Sequence, residues 1–154
     1  MRTMRKLLAV GVLAVALPAV AAPTQTYLNG RYGYSISYPS DLKAEPESDN
    51  GDGRVFHSAD GAVEARVWAN YNANDETPAQ LAADAASDCT SAPTYRRVAA
   101  TFIAISCRKG PDILYQKTLI HKDLVATFEI TYPAADHAKW DAVATQMSGS
   151  LRAP

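Results

Sequence analysis

Two cysteines, three histidines and one acidic run broken by glycines are the residues of this chain whose types and spacing could do chemistry. The histidines, His57, His121 and His137, are the only side chains with an ordinary pKa near neutrality, and none stands at metal-ligand spacing from another. His57 adjoins Ser58, but consecutive strand residues point to opposite faces, so adjacency alone does not make a base and a nucleophile. Asp49-Asn50-Gly51-Asp52-Gly53 has the oxygen-rich composition of a calcium loop. An EF-hand, however, needs acids at alternate positions and Glu at position 12, where Asp60 stands, so the run reads as a solvated acidic turn. There is no Gly-rich phosphate loop and no nucleophile elbow. The expectation is a non-enzyme with no catalytic residues, no metal and no cofactor.

Cys89 and Cys107 have neither C-x-x-C spacing nor nearby His and Cys partners, which leaves redox and metal roles unsupported. A structural disulfide is their natural pairing in an oxidising compartment. Residues 1–21 point to such a compartment. Arg2, Arg5 and Lys6 precede the apolar run Leu7 to Leu17, and Ala19-Val20-Ala21 puts small residues one and three places before a cut between Ala21 and Ala22. Cutting one residue later would place Pro23 just past the scissile bond. The run falls short of the roughly 20 apolar residues a membrane span needs, and no cysteine follows it to carry a lipid. The expectation is a periplasmic or secreted protein with no stable membrane anchor once the signal is removed.

Removal of the signal takes three of the 15 basic residues and none of the 16 acidic ones, leaving a net charge of −4. That balance offers no basic patch for nucleic acid. The remaining 133 residues suit one domain. The expected organisation is a signal peptide at 1–21, a flexible lead-in at 22–30 and a single globular α/β domain at 31–154.

The elements that must position these groups follow from local patterning. Tyr34, Ile36 and Tyr38 alternate with serines in a strand that Pro39 ends. Arg54 to His57 and Ala62 to Asn70 flank Asp60-Gly61, a hairpin turn signal. In the second arm Val63, Ala65, Val67 and Ala69 share one face and Glu64, Arg66 and Trp68 the other. Thr77-Pro78-Ala79-Gln80 forms a capping box with Pro at the first helical position, opening a helix expected to reach Cys89. Strands are expected over 98–108, 113–120 and 124–132, the last strictly alternating, and a final helix over 135–147 with Gly149 as its cap. Ile103, Ile105 and Cys107 share a strand face, and Cys89 ends the helix's apolar stripe, so both sulfurs point toward the core.

Three stretches carry a resemblance across nearly all of the mature chain: Gly33-Tyr34-Ser35-Ile36-Ser37-Tyr38-Pro39-Ser40-Asp41, Phe128-Glu129-Ile130-Thr131-Tyr132-Pro133, and the Trp140 to Arg152 helix and tail. In these the chain resembles the PsbP/Mog1-like family, with Leu42 where members carry a Trp shortly after the first Tyr-Pro. The resemblance implies an α+β fold, a central antiparallel sheet with two main helices packed on it. It also implies a binding or accessory module, the role of most members, and leaves the partner open.

Two functional classes are carried forward. The leading expectation is an exported, non-catalytic binding or accessory module of the cell envelope with a protein partner, for which Trp68 and Tyr71 are the candidate contact residues. The alternatives are a periplasmic immunity protein against a delivered toxin, and a small-ligand carrier or hydrolase, which needs a pocket with convergent polar groups.

Overall fold

Period-two patterning dominates the chain outside its helices, and the fold follows it. The computed structural model describes residues 23–154, so the signal peptide at 1–21 and the cut between Ala21 and Ala22 lie outside the described residues. In chain order the elements are β1 (Thr24–Leu28), β2 (Ser35–Pro39), β3 (Leu42–Ala44), β4 (Gly53–Ser58), β5 (Glu64–Tyr71), α1 (Pro78–Ala85), β6 (Tyr95–Val98), β7 (Phe102–Lys109), β8 (Asp112–His121), β9 (Leu124–Pro133) and α2 (His137–Ser150). Seven strands form one antiparallel sheet in the order β3-β4-β5-β9-β8-β7-β6, and β1 pairs with β2 as a separate ribbon. The result is an α+β fold, a large antiparallel sheet carrying two helices.

The first face of the sheet carries the larger core. Phe128, Ile130 and Tyr132 of β9, Val67 of β5 and Phe56 of β4 point to it, beneath α2 and the β1–β2 ribbon. Tyr34, Ile36, Met147 and Leu151 close it, each 2% exposed or less. Burying one such side chain contributes about 1.5–3 kcal/mol. The tail beyond α2 is fastened to β2, because Arg152 N donates to Ser35 O at 2.9 Å and Ser35 N to Arg152 O at 3.0 Å.

The second face is covered at one end only. Thr77 Oγ1 accepts from Gln80 N at 3.3 Å while Gln80 Oε1 accepts from Thr77 N at 2.8 Å, so the capping box starts α1 where the sequence places it. Ala82 and Ala85 of α1 pack on Ile103, Ile105 and Cys107 of β7 and Leu114 of β8. A disulfide joins Cys89 to Cys107, tying the chain just past α1 to the same strand. An eight-residue helix is only about 12 Å long, and strands lie about 4.8 Å apart. The rest of this face is therefore left to its own side chains.

Four local expectations are corrected. The lead-in at 22–30 is not loose: β1 pairs with β2 over five residues, Tyr27 is 6% exposed, and Asn29 Oδ1 accepts from Arg31 N and Tyr32 N at 3.1 and 2.7 Å to make the turn. Its polar look arises because β1 has one buried side chain, Tyr27, among exposed neighbours. The first helix ends at Ala85 rather than Cys89. Asp88 turns its carboxylate to Lys109 Nζ at 2.8 Å, and the chain turns to pair with β7 through Thr90 N to Arg108 O, 2.8 Å. Gly149 does not cap α2, which continues to Ser150 because buried Leu151 and the Arg152 ladder set its end. Finally, the strand expected from residue 98 divides into β6 and β7, and the short edge strand β3 joins the sheet.

Candidate functional site

The uncovered part of the second face is built by β4, β5, β9 and β8, and its side chains follow from strand parity. Antiparallel register sets Arg66 of β5 opposite Glu129 of β9, Trp68 opposite Thr127, and Glu129 opposite Gln116 of β8. Arg66 Nε and Nη2 both donate to Glu129 Oε1, at 2.9 and 2.7 Å, and Glu129 is 6% exposed. A buried carboxylate so placed needs its cation, since an ion left alone in a low-dielectric setting is costly. The Arg66 guanidinium also sits 5.8 Å from the Trp68 ring centre, close enough for attraction to the indole face.

Trp68 is half-buried and stands between two clefts that share it as a wall. One, of 330 Å³, lies toward the 45–52 loop and includes Glu45, Val55 and Arg66. The other, of 260 Å³, lies toward α1 and includes Glu76, Leu81, Asp84 and Gln116. A hydrogen bond shared with the Asp84 carboxyl, helped by partial desolvation and by the charge on Asp84, raises the Glu76 carboxyl above its ordinary value. In the 45–52 loop the Ser48 hydroxyl, donating at 2.6 Å, holds the Asp52 carboxyl below its ordinary value. A larger groove of 690 Å³ lies at the N-terminal end of α2, lined by Asp41, Asp60 and Lys139 among others. There Lys139 Nζ lies 3.1 Å from Asp41 and Ser58 Oγ donates to Asp60 at 2.5 Å. The Trp68 face is the one on which buried polar groups converge.

Gly53 makes the close approach of β4 to Trp68 feasible. A Cβ at this position would lie 2.1 Å from Val67 O and 2.9 Å from Trp68 Cα, and both are backbone atoms that cannot swing aside. Gly53→Ala is expected to cost about 1–3 kcal/mol, as overpacking does, and to shift the Trp68 fluorescence maximum. Urea unfolding followed by Trp emission checks both, and wild-type values for each would contradict the arrangement.

The sequence-derived candidates separate in space. Trp68 belongs to the second face, whereas Tyr71 has the opposite parity, is 58% exposed at the end of β5 and meets the Tyr32 ring edge-on at 5.4 Å between centres. They do not form one contact patch. His57 Nε2 lies 2.9 Å from Glu45 Oε1 at the outer strands, His121 is exposed at the end of β8, paired with Leu124, rather than in the turn, and His137 Nδ1 lies 3.3 Å from Asp141 Oδ2 on α2. Ser58 faces away from His57, bonded to Asp60. Among the described residues no group of three or more His, Cys, Asp or Glu is placed to hold a metal ion, and no helix is long and apolar enough to cross a membrane. Thr118, Thr127, Gln116 and Glu129 were not foreseen as site residues. In sequence the polar positions of β9 look like the solvent side of a two-faced strand, and only their partners on β5 and β8 reveal the cluster.

Strand order and helix placement together decide what this chain is similar to. No family model and no curated protein matches the sequence. Among solved structures, the cyanobacterial PsbP, CyanoP, of Synechocystis sp. PCC 6803 aligns with a TM-score of 0.64 at 12% identity, over 92% of this chain and 99% of that one. The fold is PsbP-like. A Bacteroides thetaiotaomicron VPI-5482 protein shares it with a TM-score of 0.53 at 14% identity, over 88% of this chain and 49% of its own. LpqN, involved in cell envelope biogenesis of Mycobacterium tuberculosis, aligns with a TM-score of 0.50 at 14% identity, over 86% and 91%. At such identities the likeness establishes the PsbP-like architecture, and function must be argued from the site.

Proposed function

We propose that this chain is an exported, non-catalytic binding module of the cell envelope, and that a protein partner docks on the Trp68 face. The observation that carries the reading is a half-buried indole between two clefts, beside an Arg66–Glu129 ion pair whose carboxylate is buried, on a sheet face that α1 covers only at one end. A large aromatic seated among polar groups is the composition of an interface hot spot. Residues 1–21 and the Cys89–Cys107 disulfide support an oxidising compartment. The envelope role named for LpqN, which shares the fold, supports the envelope assignment.

Site-specific photo-crosslinking in cells tests it. A crosslinker at position 68 is expected to give one discrete adduct at high yield, and one at position 95, on the exposed edge strand β6, is expected to give none. Trp68→Ala is expected to weaken the recovered complex at least roughly tenfold, the scale of a hot-spot loss, with folding retained. Equal adducts at both positions, or none at position 68, would overturn the reading. A toxin as the adduct would favour the immunity role.

A further inference from the structure

An asparagine followed by glycine loses its side-chain amide to water more readily than any other, because glycine presents its backbone nitrogen with no side chain in the way. The chain has two such pairs, Asn29-Gly30 and Asn50-Gly51, and the fold treats them in opposite ways.

Asn29 is 1% exposed and its carboxamide is held from both ends. Its Nδ2 donates to Tyr27 Oη at 2.8 Å, Glu47 Oε1 at 3.0 Å and Gly51 O at 2.9 Å, while its Oδ1 accepts from Arg31 N and Tyr32 N. Turning that side chain toward Gly30 N would give up all of these bonds and leave buried groups unpaired.

Asn50 is exposed in the 45–52 loop. Among the described residues its carboxamide bonds only to Asp52, with Nδ2 donating to Asp52 Oδ2 at 2.9 Å and Oδ1 accepting from Asp52 N at 3.2 Å. Water can replace both bonds when the side chain turns. Beside Gly51, whose φ is 68°, the nearest atom to the position of a Cβ is Arg31 Cδ at 4.0 Å, so the space is open. Gly51 N is restrained by its bond to Ser48 O, 2.8 Å, within the same surface loop.

We propose that Asn50 is a modification site, converted by water to aspartate and isoaspartate. The deprotonated Gly51 nitrogen attacks Asn50 Cγ with its lone pair, the Cγ–Nδ2 bond breaks, and the departing nitrogen takes up a proton and leaves as ammonia. Water then opens the cyclic imide. Cleavage of its bond to Cγ gives aspartate, and cleavage of its bond to the main-chain carbonyl carbon gives isoaspartate, with the chain now running through Cγ. The group that donated to the Asp52 carboxylate becomes a carboxylate itself, and the two charges repel. Asp52 and Ser48 line the cleft beside Trp68, while Gly51 O and Asn50 O fasten the loop to Asn29 and to Arg31. Conversion therefore shifts one wall of that cleft, whether or not a partner docks there.

Trypsin separates the two asparagines, Asn29 in the peptide ending at Arg31 and Asn50 in residues 44–54. Purified protein kept at mildly alkaline pH is expected to gain the mass difference between a hydroxyl and an amino group in residues 44–54. The same peptide is expected to accept a methyl group from S-adenosylmethionine through an isoaspartyl methyltransferase. In urea-unfolded protein the two asparagines are expected to convert at similar rates. In folded protein Asn50 is expected to convert at least roughly tenfold faster than Asn29, because each bond given up raises the barrier. Asn50→Ser is expected to abolish both signals, which excludes Asp52 as their source. Asn50→Asp is expected to shift the indole N–H signal of Trp68 in ¹H–¹⁵N spectra and leave that of Trp140, buried in the other core, in place. A folded-state rate at Asn50 no higher than at Asn29, a modification that persists in Asn50→Ser, or an unmoved Trp68 signal would overturn the proposal.

Discussion

Phe128→Ala is expected to lower the unfolding free energy by about 4 kcal/mol, the usual cost of emptying a buried phenylalanine site. Phe128 is fully buried at the middle of β9, the central strand, between Val67 of β5 and Lys117 of β8 in register, and its ring centre lies 6.4 Å from that of Tyr115. The site cannot collapse, because β5 and β8 hold β9 from both sides by unbroken ladders and α2 with β2 roof the face. Against a total of about 5–15 kcal/mol for a domain, such a loss moves the urea midpoint far down with little change in slope. A change below about 1 kcal/mol, the level of a volume-conserving swap, would show that the centre of the sheet is not the densest part of the core. Phe128→Leu should recover much of the loss.

The second large effect concerns Cys89 and Cys107. Replacing both with Ser is expected to cost about 3 kcal/mol, because the bridge closes a loop of 18 residues' separation and restricts the unfolded chain. Wild type under reducing conditions should match the double variant. The signature differs from that of Phe128→Ala: freeing the loop expands the unfolded ensemble, so the slope of the urea transition should rise as the midpoint falls. The loss also reaches the site. The bridge fastens the chain behind α1 to β7, and α1 contributes Leu81 and Asp84 to the cleft beside Trp68. The double Ser variant should therefore give less of the crosslinked adduct at position 68 while its α2 side is unchanged. Equal midpoints with and without reductant would refute the stabilising role.

The balance of forces around Arg66 and Glu129 shows why part of the site was legible and part was not. Alternation in β5 places Arg66 and Trp68 together on the face opposite Val67, and the structure has them there. The alternation in β9 puts Thr127, Glu129 and Thr131 on one face, yet every residue from Leu124 to Ile130 is buried. At the centre of a seven-stranded sheet the second face of β9 is buried by side chains of the flanking strands β5 and β8 rather than by a helix. Thr127 and Glu129 are polar because Thr118 and Arg66 meet them, not because water does. Tyr27 shows the reverse case. One buried ring in a run of exposed polar residues leaves too little periodicity to reveal a strand, and pairing with β2 makes it one.

What the sequence determined by itself is what a few neighbouring residues can encode. The Thr77–Gln80 capping box, the Asp60-Gly61 turn with Gly61 at φ 71°, the alternation of β5 and the inward aim of Cys107 each depend on contacts within one turn or one strand. The tertiary structure alone decided which of these faces meet. Arg66 and Glu129 are 63 positions apart, and nothing local to either names the other. Their pairing follows from the strand order, which is set by burying the most apolar surface once all seven strands are present. The cleft exists for a related reason. A helix of eight residues, pinned by a disulfide over β7, is too short to roof the rest of the face, and the indole and the two carboxylates are what it leaves open.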